Sequence, residues 1–362
     1  MDVYVRRLQL VGHSTLTVSL PREWSERVGA GQGDLVSMEI LADGSLVIRS
    51  AMWKRPREIV RTIRGGACAE DELVRRLVVA LYLMGADVID VQDEGHGRAL
   101  KEAKSALSLV NGLDIAEEGP GRIVLRSIVD PGGAHFWELS KRLYDLTRSM
   151  LEIVGTSIVS GNVAQLARVR EMENEADRIY RLMVRQLFIA SYRPDVQRRI
   201  GIEDPRYLVG HRMTVKFLED VGDLSARAAE DAAAALGSGI ALGDRDLGLI
   251  GRFSREVLTC YDSAFRSWVS KDSSRANVIM SGCRQLAHNL RREALDIGSR
   301  YIGQHGKPAI VFAFSLKSYL DNLAQISDVI GNLAEAAMNH SVLEPPRSGC
   351  VQRIASNQIP AI

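Results

Sequence analysis

Glu173-Asn174-Glu175-Ala176-Asp177 and Leu218-Glu219-Asp220-Val221-Gly222-Asp223 are the two stretches that decide the fold. Each lies in a long run of helix-forming sequence, and each sets two carboxylates four residues apart. On a helix, residues at i and i+4 project from one face about one turn apart, where like charges repel by a few tenths of a kcal/mol. Two such pairs on antiparallel neighbouring helices make a cluster of four carboxylates, Glu173, Asp177, Glu219 and Asp223, that a bound cation relieves. All-oxygen donors suit a hard metal. Gly222 and Ala226 are small enough to let a neighbouring helix approach. Acidic pairs are also frequent on solvated faces in a chain with 45 acidic residues, so spacing alone leaves both readings open.

Outward from these stretches the sequence is almost wholly helical from His135 to His340. Six long segments are expected, at 135–159, 162–192, 205–237, 244–271, 274–303 and 309–340, with breaks at Gly, Pro and Ser/Asp clusters. They divide into two consecutive sets of three. Leu323-Ala324-Gln325-Ile326-Ser327-Asp328 in the sixth is a faint echo of the motif in the third.

Upstream the character changes. Asp130-Pro131-Gly132-Gly133 reads as a hinge, and residues 58–130 alternate strand and helix as a small α/β domain. Its first helix, over 71–84, carries a stripe of Leu73, Leu77, Val78, Leu81 and Met84. Gly95-His96-Gly97 lacks the third glycine and the spacing of a nucleotide fingerprint. Residues 3–50 read as short strands, at 15–20, 36–41 and 45–49, with a helix over 22–28 opened by Pro21 and a hairpin turn at Asp43-Gly44. A basic linker follows over 52–57, and the tail from Ser341 is expected to be disordered.

Bulk properties narrow the class. A chain of 362 residues exceeds one ordinary domain, and 46% hydrophobic with 25% charged residues is globular. A net charge of +1 excludes a uniformly basic coat, not a local basic patch. Cys68, Cys260, Cys283 and Cys350 have no CxxC spacing and read as reduced thiols of a cytoplasmic protein. No apolar run reaches about 18 residues, so the chain is not expected to span a membrane.

The helical half resembles the PhoU family of phosphate-uptake regulators. The residues that carry this are Glu173 and Asp177, then Leu218-Glu219-Asp220-Val221-Gly222-Asp223 followed by Ala226, Ala229 and Glu230. The second stretch is similar to that family's Glu-Arg-Ile-Gly-Asp signature, with Asp220 in place of the arginine. The resemblance implies an all-α body of two three-helix bundles in tandem. It implies a metal such as iron, zinc, manganese or magnesium at Glu173, Asp177, Glu219 and Asp223, and partnership with a phosphate ABC transporter or its signalling partners. In the second set Ser281, Gln285 and Ala324 stand where carboxylates are expected and only Asp328 remains, so a metal is expected in the first set alone.

The first 50 residues resemble the AbrB/SpoVT swapped-hairpin DNA-binding family. The match is Gly12-His13-Ser14-Thr15-Leu16-Thr17-Val18-Ser19-Leu20-Pro21-Arg22-Glu23-Trp24, then Gly33-Asp34 and Asp43-Gly44-Ser45-Leu46-Val47-Ile48. Such a unit is too small to close a barrel alone, which implies a homodimer or higher oligomer. Residues 1–57 hold eight Lys/Arg against six Asp/Glu, a weak net that dimerisation doubles on one face. Arg6, Arg7, His13 and Arg22 are the expected DNA contacts. The order of domains is similar to an archaeal arrangement of this regulator.

The expected architecture is thus multidomain: a swapped-hairpin β-barrel head over 1–52, a small α/β coupling domain over 58–130, tandem helical bundles over 134–340, and a tail over 341–362. Trp24 and Trp53 read as packing residues, His211 and His288 as surface or partly buried histidines, and Asp220 and Glu175 as surface acids. Neither carboxylate pair has the Glu-x-x-His spacing of a di-iron bundle, and no nucleophile–base set appears, so no enzyme activity is expected. The function expected is DNA-binding regulation of phosphate uptake. The alternative is a signalling adaptor whose head only dimerises.

Overall fold

The structure is a computed structural model that describes residues 3–40, 44–50, 58–93, 95, 97–302 and 307–343, with backbone only for Lys307. The linker over 52–57 with Trp53, the turn residue Asp43, His96, Cys350 and the tail from 344 lie outside the described residues. The chain divides into two compact units, residues 1–58 and 59–362.

The head is built from two hairpins and one helix. Strand β1 (Gln9–Val11) pairs antiparallel with β2 (Thr15–Thr17), Leu10 opposite Leu16. Helix α1 (Arg22–Val28) starts after Pro21, and Gly29, at φ 66°, supplies the left-handed residue that ends it. Strand β3 (Val36–Ile40) pairs antiparallel with β4 (Leu46–Ser50), Met38 opposite Ile48. The strand expected over 15–20 stops at Thr17, because Gln9–Val11 is too short to pair with more of it. Among the described residues of the head, no apolar side chain is buried; Leu10, Leu16, Met38 and Ile40 are all exposed.

The second unit begins with an α/β domain: β5 (Val60–Arg64), α2 (Leu73–Leu83), β6 (Val88–Gln92), α3 (Arg98–Ala106), β7 (Leu113–Gly119) and β8 (Arg122–Ser127). The sheet order is β5-β6-β8-β7, parallel between β5 and β6 and antiparallel elsewhere. Asp93 holds the entry to α3, accepting from the backbone N–H of Ala99 and of Gly95 at 3.0 Å each. The buried face of α2 is Val74, Val78 and Tyr82, a rotation from the stripe read in the sequence, and Met84 is exposed.

Seven helices follow: α4 (Phe136–Ser160), α5 (Val163–Tyr192), α6 (Pro194–Arg199), α7 (Tyr207–Gly237), α8 (Asp244–Ser270), α9 (Ser273–Tyr301) and α10 (Lys307–Leu343). Six match the expected long segments. The extra one, α6, exists because Pro194 ends α5 and then serves as the first residue of a new helix. Helix α10 runs to Leu343 with Ser341 buried, so the tail does not begin at Ser341.

Helices α4, α5 and α7 form one set and α8, α9 and α10 the other, joined by α7 against α10 and α4 against α8, with one continuous core through all six. Small residues set the close approaches: a Cβ on Gly222 would lie 3.0 Å from Thr147 Cγ2 of α4, and one on Gly155 would lie 2.7 Å from Ser254 Cβ of α8. Buried hydroxyls also join the sets, with Thr147 Oγ1 2.8 Å from the Tyr261 hydroxyl.

The α/β domain is fastened to α5 by Arg185, whose side chain is 1% exposed. Its Nη1 donates to the carbonyls of Tyr82 and Ala86 at 2.6 and 2.9 Å. Burial holds its pKa below the usual arginine value, with Tyr82 and Asp87 opposing.

Candidate metal centre

Helix α5 presents Glu173 and Asp177 on one face, one turn apart, and α7 presents Glu219 and Asp223 in the same way. Because α5 packs along α7, the two faces meet. Single carboxylate oxygens of Glu173, Asp177 and Asp223 lie within 4.8 Å of one another, as do those of Glu219, Asp220 and Asp223. Asp223 is common to both groups, so the four acids singled out by spacing come together in one cluster. Asp220, read as a surface acid, belongs to it as well; it is three residues before Asp223, a spacing that also shares a helix face. Glu175 does stay apart, paired with Arg142 at 2.6 Å.

The cluster is half-buried and only partly neutralised. Glu219 has a side chain 9% exposed and pairs with Lys216, whose Nζ also lies 2.7 Å from Asp220. Asp177 pairs with Arg181, and Glu173 lies 3.6 Å from Arg170. Burial, helped by the charges of Asp223 and Asp177 and opposed by Lys216, pushes the Glu219 carboxyl up to about 7. Burial likewise raises Glu173 and Asp223, with neighbouring carboxylates adding to it. For Lys216 burial works against the charged form, yet Asp220 and Glu219 hold the ammonium above its usual range. Burial is thus the main reason these carboxyls hold their protons, with the neighbouring cations opposing it and the neighbouring carboxylates adding to it.

The geometry can hold a metal ion. Its donors are carboxylate oxygens only, which fits a hard cation and offers nothing to a thiophilic one. In the second helical set Ser281 and Gln285 are exposed, Ala324 is buried, and Asp328 pairs with Arg291.

Arg181 was not legible as part of this site. Its Nη2 bonds Asp177, while its Nη1 donates to the carbonyl of Leu109 in the α/β domain at 2.8 Å. That places a guanidinium of α5 between the acidic cluster and the neighbouring domain.

The residues expected to contact DNA are all exposed: Arg6 and Arg7 before β1, His13 in the β1–β2 turn, and Arg22 in α1. Arg22 Nε is held by Glu26 at 2.8 Å one turn on. His211 does not support the acidic cluster. It is 4% exposed and packs against Phe136 of α4 and His340 of α10, with ring centroids 4.4 and 4.9 Å away, where α10 returns over α7. His288 is exposed.

Residues 141–232 match the PhoU domain family. The matched span runs from early in α4 through most of α7 and contains both carboxylate pairs. The PhoU family is implicated in the regulation of phosphate homeostasis. The crystal structure of PhoU from Pseudomonas aeruginosa is similar with a TM-score of 0.48 and 17% identity, over 56% of this chain and 93% of that one. Among curated proteins none matches the chain. Among the described residues no helix is long and apolar enough to cross a membrane.

Proposed function

We propose that this chain regulates phosphate uptake, with a cation-responsive PhoU domain as its sensing part. The observation that carries the reading is the convergence of Glu173, Asp177, Glu219 and Asp223, with Arg181 spanning from Asp177 to the carbonyl of Leu109. Glu173, Asp177 and Asp223 would hold a hard cation, with Glu219 and Asp220 on the other side of Asp223. Iron, manganese and magnesium suit these oxygens, and zinc is compatible with them. A bound cation supplies the positive charge that the raised carboxyls lack. Asp177 then has two claimants, and the grip of Arg181 on the α/β domain depends on which one it serves. No catalytic role is assigned to any residue.

The head joins two copies in this reading. Two-stranded hairpins are marginal alone, and here their apolar side chains lie open, which a second copy of the same hairpins would cover. The dimer then presents Arg6, Arg7, His13 and Arg22 twice on one face for the phosphates of a duplex, in the cytoplasm. A second reading is an adaptor that engages a phosphate transporter or its signalling partners without DNA. The ion pair of Arg22 with Glu26 favours it, since that guanidinium is already engaged within α1. Genome-wide DNA occupancy at high and low phosphate separates the two. Phosphate-dependent occupancy upstream of transporter genes supports the first; absence of occupancy with transporter components co-purifying supports the second.

A further inference from the structure

Helices α8 and α9 fold back on each other about Lys271 and Asp272, the residues that cap them. Cys260 lies eleven residues before Lys271, and Cys283 lies eleven after Asp272. In an antiparallel pair of helices, equal distances from the turn put two residues at the same height, here about 16 Å from the turn at about 1.5 Å per residue. Both also lie on the inner side of their helices: Cys283 belongs to the helical core and Cys260 packs against it. Helix axes about 8–10 Å apart, with Cα atoms about 2.3 Å off each axis, leave facing Cα atoms within the range of about 4.4–6.8 Å that a disulfide spans. Neither thiol has a part in the reading above.

The two thiols meet, with the S–H of Cys283 donating to the sulfur of Cys260. Their surroundings differ. Cys283 is 0% exposed, and a Cβ on Gly331 of α10 would lie 3.8 Å from its own Cβ. Cys260 is half-buried, so of the pair it is the one that solvent reaches. The bond from Cys283 holds Cys260 below the ordinary thiol value, against burial and the charge of Glu256. The same bond, with burial and the charges of Cys260 and Asp328, drives Cys283 well above it. The thiolate therefore forms at the accessible sulfur while the buried one keeps its proton, an asymmetry that separates a nucleophile from its partner.

Other uses of the pair fit less well. A zinc site needs four ligands, and among the described residues no third His, Cys, Asp or Glu converges on these two. Cys68 gives the contrast within the same chain: it is buried in the α/β domain, where its thiol donates to the carbonyl of Arg64 at 3.6 Å.

We propose that Cys260 and Cys283 are a peroxide-responsive thiol pair, in which Cys260 is oxidised first and Cys283 resolves it to a disulfide between α8 and α9. The Cys260 thiolate attacks one peroxide oxygen; an S–O bond forms, the O–O bond breaks, and the leaving hydroxide takes up the proton that Cys260 gave up, as water. The Cys283 sulfur then attacks the Cys260 sulfur; the S–S bond forms, the S–O bond breaks, and the second hydroxide leaves with the Cys283 proton as water. Two thiols lose two electrons and one peroxide becomes two waters. The helical set without the carboxylate cluster thus carries a site of its own, responsive to oxidant rather than to cation.

The test uses the full chain with C350S, so that this cysteine forms no links between chains, in chelating buffer so that the carboxylate cluster takes no part. Submillimolar hydrogen peroxide is expected to remove two thiols per chain, and non-reducing peptide mapping to find Cys260 joined to Cys283. The Tm should rise on oxidation and return with dithiothreitol. C283S should stop at a sulfenic acid on Cys260 that dimedone traps; C283A, which buries no hydroxyl, gives the same readout if C283S is poorly folded. C260S should slow the loss of the Cys283 thiol at least tenfold. Oxidation that consumes Cys68 or Cys283 as fast as Cys260 would overturn the proposal. So would a map in which Cys260 is joined to no partner, or all thiols surviving millimolar peroxide.

Discussion

Arg181 reaches the carbonyl oxygen of Leu109 at 2.8 Å with one end of its guanidinium while the other end pairs with Asp177. A charged group that serves a carboxylate of the acidic cluster and a backbone acceptor of another domain makes the two sites share one side chain. A cation taking Asp177 removes the partner that fixes the Arg181 fork. Manganese or iron is thus expected to raise the Tm of the wild type by mass action and to increase hydrogen exchange over 107–113. D177N/D223N should lose both responses and be more stable than the wild type without metal, because two mutually repelling charges are gone. Equal metal stoichiometry in that variant and the wild type, measured by elemental analysis, would show that the acids are only a solvated face.

The two buried sets of titrating groups act on stability in opposite directions. Glu219 has a folded value of about 7 against 4.5, so its contribution is fully present below 4.5 and is lost as pH rises through 7. His211 and His340 have folded values of about 3 and 4 against 6.5, so theirs is present above 6.5 and is lost as pH falls toward 4. E219Q in a chelating buffer should therefore gain stability at pH 8, on the order of 2 kcal/mol, and little at pH 4. H211L should flatten the acid side instead. Denaturant unfolding at pH 4, 6 and 8 measures both, and a uniform effect of E219Q across that range would contradict the assignment.

The helical body was legible because its signals are local. Small and polar breaks, the i,i+4 acids and Gly222 all act within a few turns of where they are read, and the helices begin and end close to where those signals lie. What was missed depends on partners far along the chain. Arg185 and Arg181 find acceptors about a hundred and about seventy residues upstream, which no periodicity reports. His211 has the spacing of a residue near the acidic face, yet α10 covers it from the other end of the chain. Asp220 stood where the related motif has arginine, and that comparison hid its plain i,i+3 relation to Asp223. In the head, the pattern over 15–20 overstated β2, because alternation marks a strand but not whether the partner strand is long enough.

The exposed strands of the head bear directly on assembly. Val3, Val5, Leu10, Leu35 and Ile40 are each more than half exposed, so one copy has little to hold it folded. The full chain is expected to sediment as a dimer. Removing residues 1–58 should weaken that association and leave the helical unit folded, since its core is its own. Full-length protein sedimenting as a monomer at micromolar concentration would rule out the paired head.

DNA contact by the head has a distinct electrostatic signature. If Arg6 and Arg7 meet phosphates, affinity falls with salt by about 0.9 log units per log unit of salt for each phosphate neutralised. A dimer brings two copies of each, so R6A/R7A should flatten the slope by up to about 3.6 and weaken binding to all sequences alike. R22A should matter less, because the Glu26 carboxylate 2.8 Å from Arg22 already takes part of that charge. E26Q frees Arg22 and should strengthen non-specific binding and steepen the salt dependence. Gel shifts between 50 and 200 mM salt, run on these three variants, read each of these terms separately. Affinity and slope both unchanged in R6A/R7A would leave the head as a dimerisation device and favour the adaptor.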